Sequence, residues 1–99
     1  MRVMLKASFP VEAGNKAIPG GGFERLMTHL TERVKPECAY FTAVDGNRGG
    51  YFVFDLKDPS DIPMICEPFF MELNASVQIS PVMTPEETGA GVQKAFPKK

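Results

Sequence analysis

Residues 37–56 read Glu37-Cys-Ala-Tyr40-Phe-Thr-Ala-Val44, then Asp45-Gly-Asn-Arg-Gly-Gly50, then Tyr51-Phe-Val-Phe-Asp55-Leu56. Two runs rich in aromatic and β-branched residues flank a glycine-rich segment, which predicts a β-hairpin with its loop at 45–50. Pairing Val44 with Tyr51, Thr42 with Val53 and Tyr40 with Asp55 sorts the side chains onto two faces. Ala39, Phe41, Ala43, Phe52, Phe54 and Leu56 share the first, which is the face expected under helices. Cys38, Tyr40, Thr42, Val44, Tyr51, Val53 and Asp55 share the second. A one-residue slip would mix the two sets, because side chains alternate with a period of two.

Working outward, residues 1–9 alternate in the same way. Met1, Val3, Leu5, Ala7 and Phe9 face one side, and Arg2, Met4, Lys6 and Ser8 the other, before Pro10 ends the strand. Residues 11–22 offer a helical turn at most, since Pro19-Gly20-Gly21-Gly22 must break it. Phe23, Leu26, Met27, Leu30 and Val34 then recur at helical spacing, and Pro36 closes that helix. Asp58-Pro59-Ser60-Asp61-Ile62-Pro63 starts a second helix, with Ile62, Ile65, Cys66, Phe69, Phe70 and Leu73 on its apolar stripe. Pro68 lies within that stripe and should kink it. Ala75, Val77 and Ile79 alternate with Ser76, Gln78 and Ser80 as a fourth strand. Thr84-Pro85-Glu86-Glu87 is a capping box that opens a short terminal helix. The order is βαββαβ. This is an α+β, ferredoxin-like pattern, with a four-stranded antiparallel sheet, both helices on one face, and residues 83–99 as an appendage.

A length of 99 residues sets one domain, residues 1–99, as the expectation. So small a chain buries only about two thirds of its unfolded surface, and self-association would help it. A net charge of −1, with both signs scattered, gives no case for a nucleic-acid partner. The first residues lack the continuous apolar run of a signal peptide or a membrane span, so the default compartment is the cytoplasm. Cys38 and Cys66 match neither a disulfide framework nor a metal motif, and they read as small apolar residues.

The second face is too apolar for water: Met4, Tyr40, Val44, Tyr51 and Val53 all belong to it. A sizeable exposed apolar patch marks an interface, which predicts a homodimer whose sheets pack face to face. The chain resembles the dimeric α+β barrel superfamily, which includes muconolactone isomerases and antibiotic-biosynthesis monooxygenases. More narrowly, it is similar to small bacterial members described as domains of unknown function. The carrying stretches are 36–48, Asp58-Pro-Ser-Asp-Ile-Pro63, Glu67-Pro-Phe-Phe70, Asn74-Ala-Ser-Val77 and Pro81-Val-Met-Thr-Pro-Glu86. The resemblance implies a ferredoxin-like protomer in a barrel of two sheets. It carries no reaction, because fold does not fix function.

Candidate chemistry is sparse. His29 sits beside the apolar stripe of the first helix, where an ordinary boundary role competes with that of a base. A lone histidine makes no metal site without carboxylate or thiolate partners, so no metal is expected, and no cofactor. On the second face, Arg2, Lys6, Tyr40, Asp55, Gln78 and Ser80 are expected to converge around Met4, Val53 and Tyr51, and Arg2, Lys6, Tyr40, Tyr51 and Asp55 form the candidate ligand set. Tyr40 beside Asp55 would be the acid–base pair, unless Asp55 is simply ion-paired with Lys6 or Arg2. Glu67 and Arg48 read as surface charges, although Glu67 would be useful if it pointed into a pocket. The leading expectation is a binding protein for a small, partly apolar molecule. The alternatives are a cofactor-independent isomerase or monooxygenase and a purely structural dimerisation module.

Overall fold

In the computed structural model, which describes residues 1–98, the hairpin turns on two residues. Asp45 and Gly46 take φ of 53° and 81°, the left-handed pair that matches the twist of the flanking strands and that Asp-Gly favours. Strand β2 (Cys38–Val44) therefore pairs with β3 (Asn47–Asp55) from Val44↔Asn47 onward, and Tyr40 lies opposite Tyr51. The expected six-residue loop and its register are corrected: residues 47–50 belong to the strand, and Tyr40 does not face Asp55. Because the register moves by an even number of residues, each side chain keeps the face assigned to it.

Strand β1 (Arg2–Phe9) occupies the middle of the sheet beside β3, and β4 (Ser76–Pro81) lies on its other edge. The order is β2-β3-β1-β4, and every neighbouring pair is antiparallel. Val3, Leu5, Ala7 and Phe9 are buried in alternation with half-exposed neighbours, as the period of two requires.

Residues 11–20 form a full helix rather than a turn. Helix α1 (Val11–Gly20) buries Ala17, and Gly21 ends it with a left-handed φ of 91°. Pro19 is tolerated so near the end because only one backbone bond is lost there. Helix α2 (Gly22–His29) continues into a π-turn (Leu30–Val34), which Lys35 closes by donating to the Leu30 carbonyl at 2.7 Å. Leu26 and Leu30 fall on the sheet. A 3₁₀ turn (Pro59–Asp61), in which the Asp58 carboxylate accepts from the Ser60 amide, leads into α3 (Ile62–Leu73). Ile65, Cys66, Phe69 and Leu73 of α3 complete the core, and burial pushes the Cys66 thiol up.

Pro68 explains where His29 points. Proline has no amide hydrogen, so the carbonyl four residues back, that of Met64, loses its helical donor. His29 Nε2 lies 3.0 Å from that carbonyl oxygen and donates to it across the α2–α3 seam. Nearby, Arg25 grips Glu72 through two bonds of 2.9 and 3.1 Å and holds that carboxyl below its ordinary range. His29→Ala should cost about 1 kcal/mol, because it leaves a half-buried carbonyl unmatched. In a Pro68→Ala background the restored amide takes that carbonyl, and the same substitution should then cost almost nothing. Urea midpoints of the four proteins test the coupling. Equal costs in the two backgrounds would refute the seam.

The chain leaves β4 at Pro81 and ends in helix α4 (Pro85–Ala95). Both capping-box bonds are present: the Glu87 amide donates to Thr84 Oγ1 at 3.2 Å, and the Thr84 amide donates to Glu87 Oε1 at 3.0 Å. No residue of α4 is buried. Among the described residues, no helix is long and apolar enough to cross a membrane.

Candidate functional site

The open face of the sheet is organised in rows. Tyr40, Tyr51, Lys6 and Gln78 form one row across all four strands; Cys38, Val53, Met4 and Ser80 form the next. Asp55 lies opposite Arg2, four residues along β3 from Tyr51. At about 3.3 Å per residue that is roughly 13 Å from the Tyr40 row, too far for the two groups to act as one acid–base pair.

Each charge on this face already has a partner. Asp55 Oδ1 accepts from the Met1 ammonium at 2.8 Å, and that contact holds its carboxyl below the ordinary range. Arg2 Nε donates to Glu37 at 2.8 Å, and its Nη1 is 3.4 Å from Glu87. Lys6 Nζ reaches Asp45 in the turn at 3.9 Å. Tyr40 stays 69 % exposed, while Met4, Tyr51 and Val53 are half-buried. His29 is spent on the Met64 carbonyl, and Glu67 is exposed on α3.

A different site lies on the helix side. The β2 residues of that face, Ala39, Phe41 and Ala43, are exposed rather than buried, which corrects their expected place in the core. Buried sheet residues there come from β1 and β3, so β2 overhangs the helical layer and leaves a gap. This cleft, of about 630 Å³, is walled by Phe9, Val11, Ile18, Phe23 and Phe41, with Thr42, Asn47 and Arg48 along its rim. Its volume is in the range of small-molecule sites.

The walls are fixed by packing. A run of rings leads out of the core, with centroid spacings of 5.7 Å for Phe69–Phe52, 5.6 Å for Phe52–Phe41, 6.2 Å for Phe41–Phe23 and 6.5 Å for Phe23–Phe9. Offset and edge contacts at such spacings favour one arrangement of the rings. Arg48 is tied to the start of α1, donating from Nη1 to the Val11 carbonyl at 3.2 Å and from Nη2 to Asn15 Oδ1 at 3.0 Å. It is therefore more than the free surface charge expected of a hairpin loop. The lining residues include no carboxylate, imidazole, thiol or phenol. Such an open cleft can seat an apolar body and meet a polar group at the rim, but its lining offers nothing to move a proton. In the sequence its only signal is an excess of phenylalanine on the face already assigned to the core.

Comparison with one solved structure agrees with the fold. The regulatory subunit of aspartate kinase from Thermus flavus superposes with a TM-score of 0.56 at 12 % identity, covering 96 % of this chain and 69 % of that one. A crystal structure of an antibiotic biosynthesis monooxygenase gives 0.49 at 11 % identity, covering 85 % of this chain and 100 % of that one. At these identities the likeness concerns fold alone. Among curated proteins, none matches the sequence. The family model described as "Domain of unknown function (DUF3303)" matches residues 21–96, which span the hairpin, α3, β4 and α4, and the chain belongs to that family.

Proposed function

We propose that this protein binds a small, largely apolar molecule bearing an anionic or hydrogen-bond-accepting group, and does so as a cytoplasmic homodimer. The observation that carries the reading is the cleft walled by Phe9, Phe23 and Phe41, with the Arg48 guanidinium at its rim. The apolar walls supply affinity and the guanidinium supplies orientation, the usual division of labour in such sites. Isomerase or monooxygenase chemistry without a cofactor would need an acid–base group facing the ligand. The lining side chains supply none, which favours binding over turnover.

The open sheet face is the proposed dimer surface, where Tyr40, Tyr51, Arg2, Lys6 and Asp55 meet a second copy instead of a ligand. A second sheet there would take Met4, Tyr51 and Val53 fully out of water.

A thermal-shift panel of aromatic and aliphatic carboxylates tests the site. A binder at 100 times its Kd stabilises by about 2.7 kcal/mol, which raises the Tm of a domain this size by roughly 10 °C or more. Phe41→Ala should abolish that shift, and Arg48→Ala should weaken it selectively for the carboxylates. A shift that survives Phe41→Ala and is lost in Tyr40→Ala would move the site to the sheet and defeat the proposal. So would a panel without any shift.

A further inference from the structure

Helix α4 is well specified locally, yet it packs no residue into the core of its own chain. The capping box and the proline at its first position encode a start, yet an isolated helix of about 11 residues is marginal in water. Its two internal glycines weaken it further. None of its residues is buried, while Met83, Val92 and Phe96 are 65, 52 and 78 % exposed. The arm stretches the molecule to 61 × 28 × 19 Å. The radius of gyration is 16.1 Å, against roughly 13 Å for a compact chain of this length.

The exposed area is large enough for a second copy to cover the arm. The chain exposes 6799 Å², whereas a compact monomer of 10.9 kDa exposes roughly 5,600 Å². The excess, about 1,200 Å² on that scaling, is more than the roughly 800 Å² that each partner gives to a stable interface. A chain that leaves this much surface open matches one subunit taken out of a dimer.

The base of the arm lies beside the open sheet face. The Val82 amide donates to the Arg2 carbonyl at 3.2 Å, and the Arg2 side chain, which belongs to that face, reaches Glu87 in the first turn of α4. A second copy seated on the sheet therefore meets the arm at its root.

We infer that residues 82–96 form an exchanged arm, in which Met83, Val92 and Phe96 of one protomer pack against the second copy of the chain. This inference rests on the homodimer proposed above. Each arm adds contacts at the margin of the sheet-to-sheet interface, and the two-fold relation of such a dimer makes the exchange reciprocal.

Sedimentation of the full chain over a concentration series provides the test, comparing the parent with a Val92→Asp, Phe96→Asp double variant. The parent should sediment at about twice 10.9 kDa, and the variant should dimerise at least about tenfold more weakly. The protomer core contains no α4 residue, so far-UV circular dichroism of the variant should show the sheet and α1–α3 intact. A photo-crosslinker at position 96 should yield a covalent dimer. A parent dimer with unchanged affinity in the variant, or crosslinks only within one chain, overturns the arm exchange and leaves the sheet-face dimer standing. A parent that stays monomeric overturns both.

Discussion

Replacing Phe52 with alanine should destabilise the protein by about 3–5 kcal/mol, the range for truncating a buried aromatic ring. Phe52 is 2 % exposed and lies in the central pair of strands, opposite Leu5 on β1 and Ala39 on β2. Its ring also links the buried Phe69 to Phe41 at the mouth of the cleft, at 5.7 and 5.6 Å. Truncation thus removes buried apolar area and two aromatic contacts together. A domain of this size has about 5–15 kcal/mol in total, so the variant should be close to unfolding at physiological temperature. Thermal and urea unfolding at matched protein concentration measure the effect, because any dimer makes Tm concentration-dependent. A loss below about 1 kcal/mol would contradict the assignment of Phe52 to the core face.

The second large effect is expected at Gly49, where valine should cost about 3 kcal/mol, the upper end of overpacking. A Cβ at Gly49 would meet the Ala7 carbonyl oxygen and lie 2.7 Å from Val44 Cγ2. The carbonyl belongs to the neighbouring central strand and cannot swing aside as a flexible side chain can. Val44 is only 3 % exposed although it faces the open side of the sheet, because it settles into the space that Gly49 leaves. Gly46→Val makes a useful comparison. That residue has open space around it and a φ of 81°, so its cost should be conformational, about 1–2 kcal/mol. Chemical denaturation would separate the two. If Gly49→Val proves the milder substitution, the close approach of β1 and β3 at this point is wrong.

The two glycines after the turn also show why the hairpin is only partly legible in the sequence. Asp45-Gly46 is a strong two-residue turn signal on its own. Gly49-Gly50, four residues on, reads locally like more loop, since glycine is depleted in strands. Here those glycines belong to the strand and give way to Val44 and to the Tyr40 backbone. Helix α1 is obscured in the same way. Pro19 and three glycines argue against a helix, but the break waits for Gly21 because packing of Ala17 holds the preceding turns. Tyr40 and Asp55 were separable only by register, and a register depends on loop length. The cleft escapes sequence reading altogether. Phe41 carries the right pattern for a core residue, and its 56 % exposure comes from how far the helices reach across the sheet.

What residues 37–56 determine by themselves is which side chains share a face, because alternation is local and survives any even shift of register. The same holds for the four strands, the capping box at Thr84 and Glu87, the apolar stripe of α2, and that of α3 apart from Ile62 and Phe70, which the structure leaves exposed. Each is set by neighbours within a few residues. Only the tertiary structure decided that His29 serves the carbonyl freed by Pro68, that β2 overhangs to open the Phe9–Phe23–Phe41 cleft, and that α4 buries none of its residues against the rest of the chain. Those outcomes depend on distances between elements far apart in the chain, which packing sets and local periodicity does not encode.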